Sequence, residues 1–479
     1  MIETLRISKV NETFIRIDCE PSAAMEIAEY FTFSVPNAKF HPLFKNKIWD
    51  GKIRLYNVMT KLLYAGLLAK VEHFAKSREY EIEYLSEFND VSYSLTEAKD
   101  FIATLNTALE DRDYQIEAMA HAVRKSRCLF LSPTASGKSF IIYTIVRYYN
   151  KKTLIIVPTV SLVSQMASDF ESYGYTKDIH KIYSGVDKES EEDIVISTWQ
   201  SIYKMPKTWF DQFDVVIGDE AHLFKAKSLT KIMEKMLTCK YRFGFTGTLD
   251  GTETNKLVLE GLFGQVKTVA KTTDLIEKKY LADLKIKIIL MKYSDDIRKQ
   301  CKNFDYATEM DFLVKNEKRN RFIKNLALSL KGNTLLLFQY VEKHGKELYK
   351  SVLDSAKDRK VFFVYGGVEA DEREEIRKLV ENEKNAIIVA SSGVFSTGVN
   401  IKNIHNIIFS SPSKSKIRTL QSIGRGLRTS KTKESVTLFD IADDLSWKTR
   451  KNFTLEHFKE RARIYAEEGF DYKVYKVDL

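Results

Sequence analysis

The stretch CLFLSPTASGKSFIIYTIVRYY, residues 128–149, contains the features that decide the fold of this chain. An apolar, strand-like run (CLFLS) leads into a Gly-Lys-Ser loop, and a helix-like segment begins at Lys138. A loop of this kind presents backbone N–H groups and the positive end of a helix to a phosphate group. The stretch therefore predicts an α/β domain with a phosphate-binding loop at one edge of its sheet.

The loop SPTASGKS (132–139) departs from the usual phosphate-binding pattern at its first position, where Ser132 replaces glycine. In that pattern the lysine reaches the β- and γ-phosphates, and the hydroxyl after it ligates Mg²⁺. The predicted ligands of ATP in this loop are Thr134, Ser136, Gly137, Lys138 and Ser139. Ser139 is also a predicted ligand of Mg²⁺.

Outward from this loop, short apolar runs alternate with longer amphipathic segments. The runs are CLFLS (128–132), TLIIV (153–157), DIVIS (193–197), DVVIG (214–218) and YRFGF (241–245). A second series is TLLLF (334–338), KVFFVY (360–365), NAIIVA (385–390), HNIIFS (405–410) and SVTLF (435–439). Continuous apolar strands separated by helices are typical of parallel sheets covered on both faces. Two α/β lobes follow from this pattern.

The first hundred residues lack this rhythm and mix strand-like runs (TFIRID, KIRLYN) with helix-like ones. We therefore predict a small α+β N-terminal domain over 1–100, a first lobe over 101–275 and a second lobe with C-terminal helices over 276–479. The charge-rich stretch 271–330 is predicted to be helical and to contain the junction between the lobes.

Acidic and basic side chains complete the predicted catalytic site. DVVIGDEAH (214–222) places Asp219 and Glu220 at the end of an apolar strand. Asp219 is suited to hold the Mg²⁺ shell, and Glu220 to deprotonate the attacking water. In QSIGRGLR (421–428), Arg425 and Arg428 share one helix face and are suited to stabilise transition-state charge on a phosphate.

Composition limits the classes of protein to which this chain can belong. The 479 residues carry a net charge of +10, and a basic balance favours polyanionic partners. The four cysteines never form a C-x-x-C pair, which excludes a zinc ribbon and fits a reducing compartment. No apolar run approaches the ~18 residues that a membrane-spanning helix needs.

The motifs together resemble those of superfamily 2 helicases, in that family's order and spacing over about residues 110–430. They are RDYQIEA (112–118), SPTASGKS, VPTVSLVSQ (157–165), DEAH (219–222), FTGT (245–248), VFSTGVNIKN (394–403) and QSIGRGLR. The resemblance implies two RecA-like lobes, with ATP and Mg²⁺ bound in the cleft between them. It also implies an ATP-dependent enzyme that moves along nucleic acid.

The same resemblance assigns further residues. Gln115 would read the adenine edge with Arg112 nearby, and Gly398 and Gln421 would lie at the nucleotide. Thr246 and Thr248 would couple hydrolysis to lobe movement. The residues implied to grip a nucleic-acid backbone are Pro158, Thr159, Thr198, Gln200, Gln339, Ser396 and Thr397. Hydroxyls and amides suit this task because they bond to phosphate oxygens without reading bases.

The segment KFHPLFKNKIWDGKIRLYNVMTK (39–61) contains a single acid among several Lys and Arg, with aromatic residues interleaved. Cations for phosphates and aromatics for exposed bases are typical of a nucleic-acid surface. The candidate contacts are Lys45, Lys47, Trp49, Lys52 and Arg54. The alternative is a core segment with a solvated basic face, whose aromatic residues are simply buried.

With this N-terminal segment included, nearly the whole chain resembles the UvsW-like family of phage helicases. That resemblance implies a cytoplasmic DNA helicase with RecG-like activity, which unwinds and remodels branched DNA such as Holliday junctions and stalled forks. We expect a monomer that binds no membrane, in the host cytoplasm if phage-encoded. The alternatives are a restriction-complex motor subunit, an RNA helicase with the same motor, or an ATP-gated clamp that does not translocate.

Overall fold

A computed structural model of the chain describes residues 3–479 apart from 37, 89, 108, 110, 250–251, 369, 398–400, 402, 412–414, 428–432 and 434. Its internal contacts divide the chain into two compact units. Unit 1 comprises Met1–Ser132 and Gly137–Val269, and unit 2 comprises Pro133–Ser136 and Ala270–Leu479. Of the described residues, no helix is both long and apolar enough to cross a membrane.

Unit 1 begins with a small α+β domain that has its own core. Its elements are β1 (Thr4–Lys9), β2 (Phe14–Asp18), α1 (Pro21–Tyr30), β3 (Thr32–Ser34), α2 (Pro42–Lys45), β4 (Lys52–Arg54), β5 (Leu62–Tyr64), α3 (Leu68–Ser77) and β6 (Glu81–Tyr84). Four strands form a sheet in the order β5-β2-β1-β6, whereas β3 and β4 pair as a separate hairpin. Side chains along β1 alternate, so that Leu5 and Ile7 face the core.

The rest of unit 1 is a parallel α/β lobe. Its elements are α4 (Leu95–Thr104), α5 (Asp113–Lys125), β7 (Arg127–Leu131), α6 (Lys138–Tyr149), β8 (Thr153–Val157), α7 (Val160–Ser172), β9 (His180–Ile182), β10 (Ile194–Thr198), α8 (Trp199–Ile202), α9 (Lys207–Phe210), β11 (Val215–Asp219), α10 (Lys227–Lys235), β12 (Tyr241–Thr246), α11 (Glu253–Phe263) and β13 (Val266–Thr268). All seven strands run parallel, in the order β13-β7-β12-β11-β8-β10-β9.

Unit 2 is a second parallel α/β lobe. Its elements are α12 (Thr272–Glu277), β14 (Asp283–Lys292), α13 (Asp295–Gln300), α14 (Tyr306–Lys315), α15 (Glu317–Ser329), β15 (Thr334–Phe338), α16 (Lys346–Leu353), β16 (Val361–Val364), α17 (Ala370–Asn382), β17 (Ile387–Ser391), α18 (Ser392–Thr397), β18 (Asn406–Phe409), α19 (Lys416–Gly426), β19 (Ser435–Asp444), α20 (Phe453–Glu467) and β20 (Tyr472–Asp478). Its strands are also parallel, in the order β16-β17-β15-β18-β19-β14-β20.

The predicted fold class is confirmed: two RecA-like parallel lobes follow a small α+β domain. All ten apolar runs quoted above are strands, and β8, β10, β11, β15 and β17 are buried along their whole length. Helices on both faces of a parallel sheet account for this burial.

The prediction that 271–330 is helical throughout is wrong for Asp283–Lys292, which forms β14 between β19 and β20. This segment alternates lysine with isoleucine before it becomes continuously apolar. One side of its first half is consequently polar, unlike the apolar runs from which the other strands were predicted.

A buried arginine on β12 joins the N-terminal domain to the first lobe. The side chain of Arg242 is fully buried, and its Nη2 donates to Thr13 Oγ1 at 2.8 Å and to the carbonyl of Met236. Its Nε donates to Cys239 O at 3.0 Å, and its Nη1 to Met233 O at 3.3 Å. The acceptors are all uncharged oxygens, so these hydrogen bonds stabilise the buried charge without a carboxylate in direct contact.

Other contacts surround this link. Glu12 N donates to Leu237 O at 2.9 Å, and Tyr64 Oη donates to Glu234 Oε1 at 2.6 Å. A Cβ on Gly66 would lie 2.1 Å from the carbonyl oxygen of Glu260, so only glycine permits this approach of the two backbones. The N-terminal domain is therefore fixed to the first lobe through buried hydrogen bonds and close backbone packing.

Thr13→Val should destabilise this interface while preserving the shape of the side chain. Loss of an acceptor for a buried cation costs about 1.5–3 kcal/mol, and unit 1 should unfold at a temperature lower by the order of 5 °C. Thermal unfolding followed by circular dichroism measures the shift. The matched control is Thr60→Val, because Thr60 is exposed in a turn of the same domain. Equal melting temperatures for both variants would show that the Arg242–Thr13 bond does not contribute to stability.

Candidate active site

The predicted site residues of the first lobe follow the carboxyl ends of parallel strands. Because such ends meet at one edge of a sheet, the residues after them form a common surface. The phosphate loop follows β7, Pro158 and Thr159 follow β8, Thr198 ends β10, Asp219 ends β11 and Thr246 ends β12. The first lobe thus brings together residues separated by more than a hundred positions in the sequence.

Gly137 is the position in the phosphate loop that requires glycine. It has φ +80° immediately before α6, and a Cβ there would lie 2.2 Å from Gln115 Nε2. Ser132 occupies the position where the usual pattern has glycine, and its φ is not positive. Its backbone N–H donates to Thr246 O at 2.8 Å. Serine at that position therefore imposes no backbone strain.

The interior of the loop is held by Ser136, which is fully buried and donates its hydroxyl to Pro133 O at 2.7 Å. Helix α6 then begins at Lys138, and its first N–H groups are directed towards the loop. A loop closed over a helix N-terminus fits an anion such as the phosphate chain of ATP.

Lys138 forms ion pairs with both acids at the end of β11. Its Nζ lies 2.6 Å from Asp219 Oδ1 and 3.3 Å from Glu220 Oε1. Burial alone disfavours the ammonium group, but the two carboxylates raise the pKa of Lys138 above its usual value. The lysine is consequently charged, and it lies directly after the loop at the start of α6.

Glu220 has a strained backbone, with φ +51° and ψ +50°, at the turn after β11. Burial by itself raises the pKa of its carboxyl, but the Lys138 charge and hydrogen bonds from His222 and Lys138 lower that pKa to about 2. The carboxylate therefore stays ionised over the neutral pH range.

A chain of hydrogen bonds connects Glu220 with the end of β12. His222 Nδ1 lies 3.4 Å from Glu220 Oε2 and 3.0 Å from Thr246 Oγ1, and Thr246 Oγ1 donates to Thr248 O at 3.0 Å. These groups are buried or nearly so. The sequence analysis singled out both threonines but not His222, although it is the last residue of DEAH.

The residues present fit a magnesium ion held beside bound phosphates. Asp219 and Ser139 supply a carboxylate and a hydroxyl oxygen, the hard donors that Mg²⁺ takes from proteins when phosphates complete its shell. In the structure Ser139 Oγ hydrogen-bonds with Tyr173 Oη at 2.8 Å. Tyr173, just after α7, was not predicted, because its position depends on packing against Phe140 and Tyr143.

The predicted adenine-reading residues lie at the start of α5. Gln115 is buried, and its Oε1 accepts a hydrogen bond from Arg112 N at 3.2 Å. Its Nε2 lies against Gly137, so the glutamine connects this helix start with the phosphate loop. Arg112 Nη1 donates to Tyr114 Oη at 2.8 Å.

The backbone-gripping residues predicted in the first lobe lie at the ends of two adjacent strands, β8 and β10. Gln200 Nε2 donates to Pro158 O at 3.5 Å, which joins the two strand ends. The hydroxyl of Thr159 bonds with that of Ser161, and the hydroxyl of Thr198 with that of Ser201.

The second lobe supplies fewer described site residues. Gln339 follows β15, and its backbone N donates to Ser411 Oγ at 3.2 Å. Gln421 and Arg425 lie on α19, and Ser396 and Thr397 on α18. The side chains of Arg425, Ser396 and Thr397 lie outside the described part of the structure, as do Gly398 and Arg428 entirely.

The N-terminal candidates lie on the β3–β4 hairpin. Lys45, Lys47 and Lys52 are exposed, whereas Arg54 forms an ion pair with Asp50. Trp49 Nε1 donates to Lys52 O at 2.8 Å. The aromatic side chains of this segment differ in exposure, since Tyr56 is buried whereas Phe40 is 64% exposed. Contact of the segment with DNA stays a prediction.

Comparison with known proteins places these features in context. Residues 6–85 match the family model "DNA helicase UvsW, N-terminal", residues 108–251 match "Type III restriction enzyme, res subunit", and residues 317–430 match "Helicase conserved C-terminal domain". The ATP-dependent DNA helicase uvsW of Enterobacteria phage T4 is 34% identical over 97% of this chain and 98% of its own length.

Two further comparisons extend this result. The crystal structure of T4 UvsW matches with a TM-score of 0.52 and 31% identity, covering 99% of each chain. The DNA 3'-5' translocase XPB2 of Sulfurisphaera tokodaii is 25% identical over 81% of this chain and 91% of its own length. The similarity to phage T4 UvsW therefore extends over the N-terminal domain and both lobes.

Glu220→Gln should abolish turnover and preserve nucleotide binding. The amide keeps the size of the side chain but cannot accept the proton of water, an effect typically of about 10²-fold or more. ATP hydrolysis is measured by phosphate release, and binding by a fluorescent ATP analogue. His222→Gln is the informative companion, because it disturbs the connection to Thr246 and leaves the carboxylate in place. Hydrolysis by Glu220→Gln at nearly the wild-type rate would refute the assignment of Glu220 as the base.

Proposed function

The chain belongs to the family of UvsW ATP-dependent DNA helicases, and on this premise we propose that it unwinds and remodels branched DNA, such as Holliday junctions and stalled forks. The enzyme itself is an ATP-dependent DNA helicase. The observation that most supports the finer proposal is a basic hairpin on a domain fixed to the ATP-binding lobe.

In the proposed mechanism, the phosphate loop and Lys138 bind the phosphates of ATP, and Glu220 takes a proton from the attacking water. Mg²⁺, held by Asp219 and Ser139, would neutralise phosphate charge. The contacts from Glu220 through His222 to Thr246 would transmit a change in the bound nucleotide to the end of β12. In the second lobe, Arg425 and Arg428 are proposed from their sequence positions to stabilise the charge that develops on the γ-phosphate.

The proposed path of one DNA strand follows the ends of β8 and β10. Pro158 and Thr159 lie beside Thr198 and Gln200 there, and the group presents hydroxyl and amide donors. Such donors suit phosphate oxygens and carry no base preference. Gln339, Ser396 and Thr397 are proposed to continue this grip in the second lobe, and Gly398 and Gln421 to contact the nucleotide.

A basic hairpin on the domain that is fixed to the first lobe favours a branched substrate. Lys45, Lys47 and Lys52 are exposed on one small hairpin, and their charge suits the phosphates of duplex DNA. Exposed apolar side chains lie among them, and these suit unpaired bases. Duplex backbone and unpaired bases occur next to each other where strands branch.

The remaining assignments are also proposals. We assign the N-terminal DNA-binding domain to 1–100, the ATP-binding lobe to 101–275 and the second lobe to 276–479. The protein acts as a monomer in the cytoplasm of the host cell. A role in DNA recombination and repair follows from a branched substrate.

Unwinding should depend on branch structure. With forked, four-way, linear duplex and RNA substrates of equal length, we expect strand separation and ATPase stimulation to be several-fold higher on the two branched DNAs. The measurements are gel-resolved strand displacement and phosphate release, and Glu220→Gln serves as the inactive control. Equal ATPase stimulation by linear duplex without strand separation would contradict the proposal and favour a motor like that of a restriction enzyme, whose family model matches residues 108–251.

A further inference from the structure

The end of the β3–β4 hairpin displays apolar side chains to solvent. We define the hairpin tip as residues 38–49, which contain a single 3-10 turn (Ala38–Phe40) and α2 (Pro42–Lys45). Phe40 is 64% exposed, Leu43 44% and Ile48 71%. Three large apolar side chains this close together on a soluble surface mark an interaction site more often than isolated ones do.

The tip is held in one shape although it lacks a core of its own. The backbone N–H groups of Ile48 and Trp49 donate to Leu43 O at 2.9 and 3.2 Å. The Trp49 indole donates to Lys52 O at 2.8 Å and packs edge-on against His41, with ring centroids 5.4 Å apart. The exposed side chains are therefore displayed by an ordered scaffold, and Trp49 belongs to that scaffold.

Lysines surround the apolar side chains. Lys39 Nζ lies 5.2 Å from the centroid of the Phe40 ring, and Lys45 and Lys47 are exposed. Over the described residues, neither Lys45 nor Lys47 takes part in an ion pair, and the nearby Asp50 is bound to Arg54. The tip consequently presents positive charge around an apolar surface, which is complementary to bases flanked by phosphates.

The hairpin is braced on the ATP-binding lobe. Ile53 on β4 and Leu55 just after it pack against the apolar cluster of that lobe that contains Phe224 and Phe263. Together with the Arg242–Thr13 bond, these contacts fix the base of the hairpin to the lobe. A force produced by ATP hydrolysis in that lobe would therefore reach the tip.

We propose that the hairpin tip is a wedge that bears on the terminal base pair at a DNA branch point. Phe40 and Ile48 cover the face of the base pair that lacks a stacking neighbour, and the lysines contact the phosphates of the two separating strands. Apolar side chains of this kind unstack base steps in other DNA-binding proteins. Trp49 is a positioning residue, which holds the tip in shape through Lys52 and His41. The proposal rests on the proposed function, because it requires a DNA branch as substrate.

The test uses the full chain and a fork that carries 2-aminopurine in the base pair next to the branch. Wild-type protein with a non-hydrolysable ATP analogue should raise the fluorescence, because the base becomes unstacked. Phe40→Ser combined with Ile48→Ser should lose most of this rise, and fork unwinding should fall about tenfold, as expected when one base contact is lost. ATPase stimulated by single-stranded DNA should not change, since the active site is untouched.

The matched control is Met25→Ser combined with Met59→Ser, because both methionines are exposed in the same domain outside the tip, at 63% and 92%. Ile48→Ser alone provides a milder second variant. Equal fluorescence and unwinding for the tip and control variants would overturn the proposal. A change in the sedimentation mass of the tip variant, with DNA behaviour intact, would overturn it in favour of self-association. If wild-type protein unwinds linear tailed and forked DNA equally, the branch preference fails, whereas the fluorescence signal still decides whether the tip is a wedge.

Discussion

The buried charge of Arg242 is the constraint on which the arrangement of unit 1 depends. Burial lowers the pKa of this guanidinium to about 10, so that it remains charged at neutral pH without a carboxylate partner. Its acceptors belong to the N-terminal domain, to α10 and to the turns that follow α10. A buried cation that loses an acceptor is strongly destabilised. The N-terminal domain therefore cannot leave the first lobe without exposing or stranding this charge.

The strand that carries Arg242 also reaches the active site. β12 lies between β7 and β11 in the sheet, and its last residue, Thr246, contacts His222 beside Glu220. One strand thus carries Arg242, which anchors the N-terminal domain, near its start, and Thr246, at the candidate ATP site, at its carboxyl end.

The sequence predicted most of the fold, and it predicted which residues lie at the carboxyl edge of the first lobe's sheet, because both depend on local patterns. Apolar runs identified strands wherever both faces are covered, and the loop before Lys138 marked the position of the candidate phosphate site. The patterns failed where burial is one-sided or absent, as for β14 with its lysine-isoleucine alternation and for β20, whose side chains are mostly exposed. Contacts between distant segments, such as Tyr173 with Ser139, leave no local signal. Composition alone also could not separate the exposed Phe40 from the buried Tyr56.

The most direct test of this account is the distance between the N-terminal domain and the ATP-binding lobe during the ATPase cycle. Spin labels at Met59→Cys and Thr208→Cys, two exposed positions, in a Cys19→Ser background, would report it by pulsed electron paramagnetic resonance. The account predicts one narrow distance distribution that stays in place without ligand, with an ATP analogue and with forked DNA. A distribution that shifts or broadens on nucleotide or DNA binding would contradict it, because the hairpin would then move independently of the lobe that hydrolyses ATP.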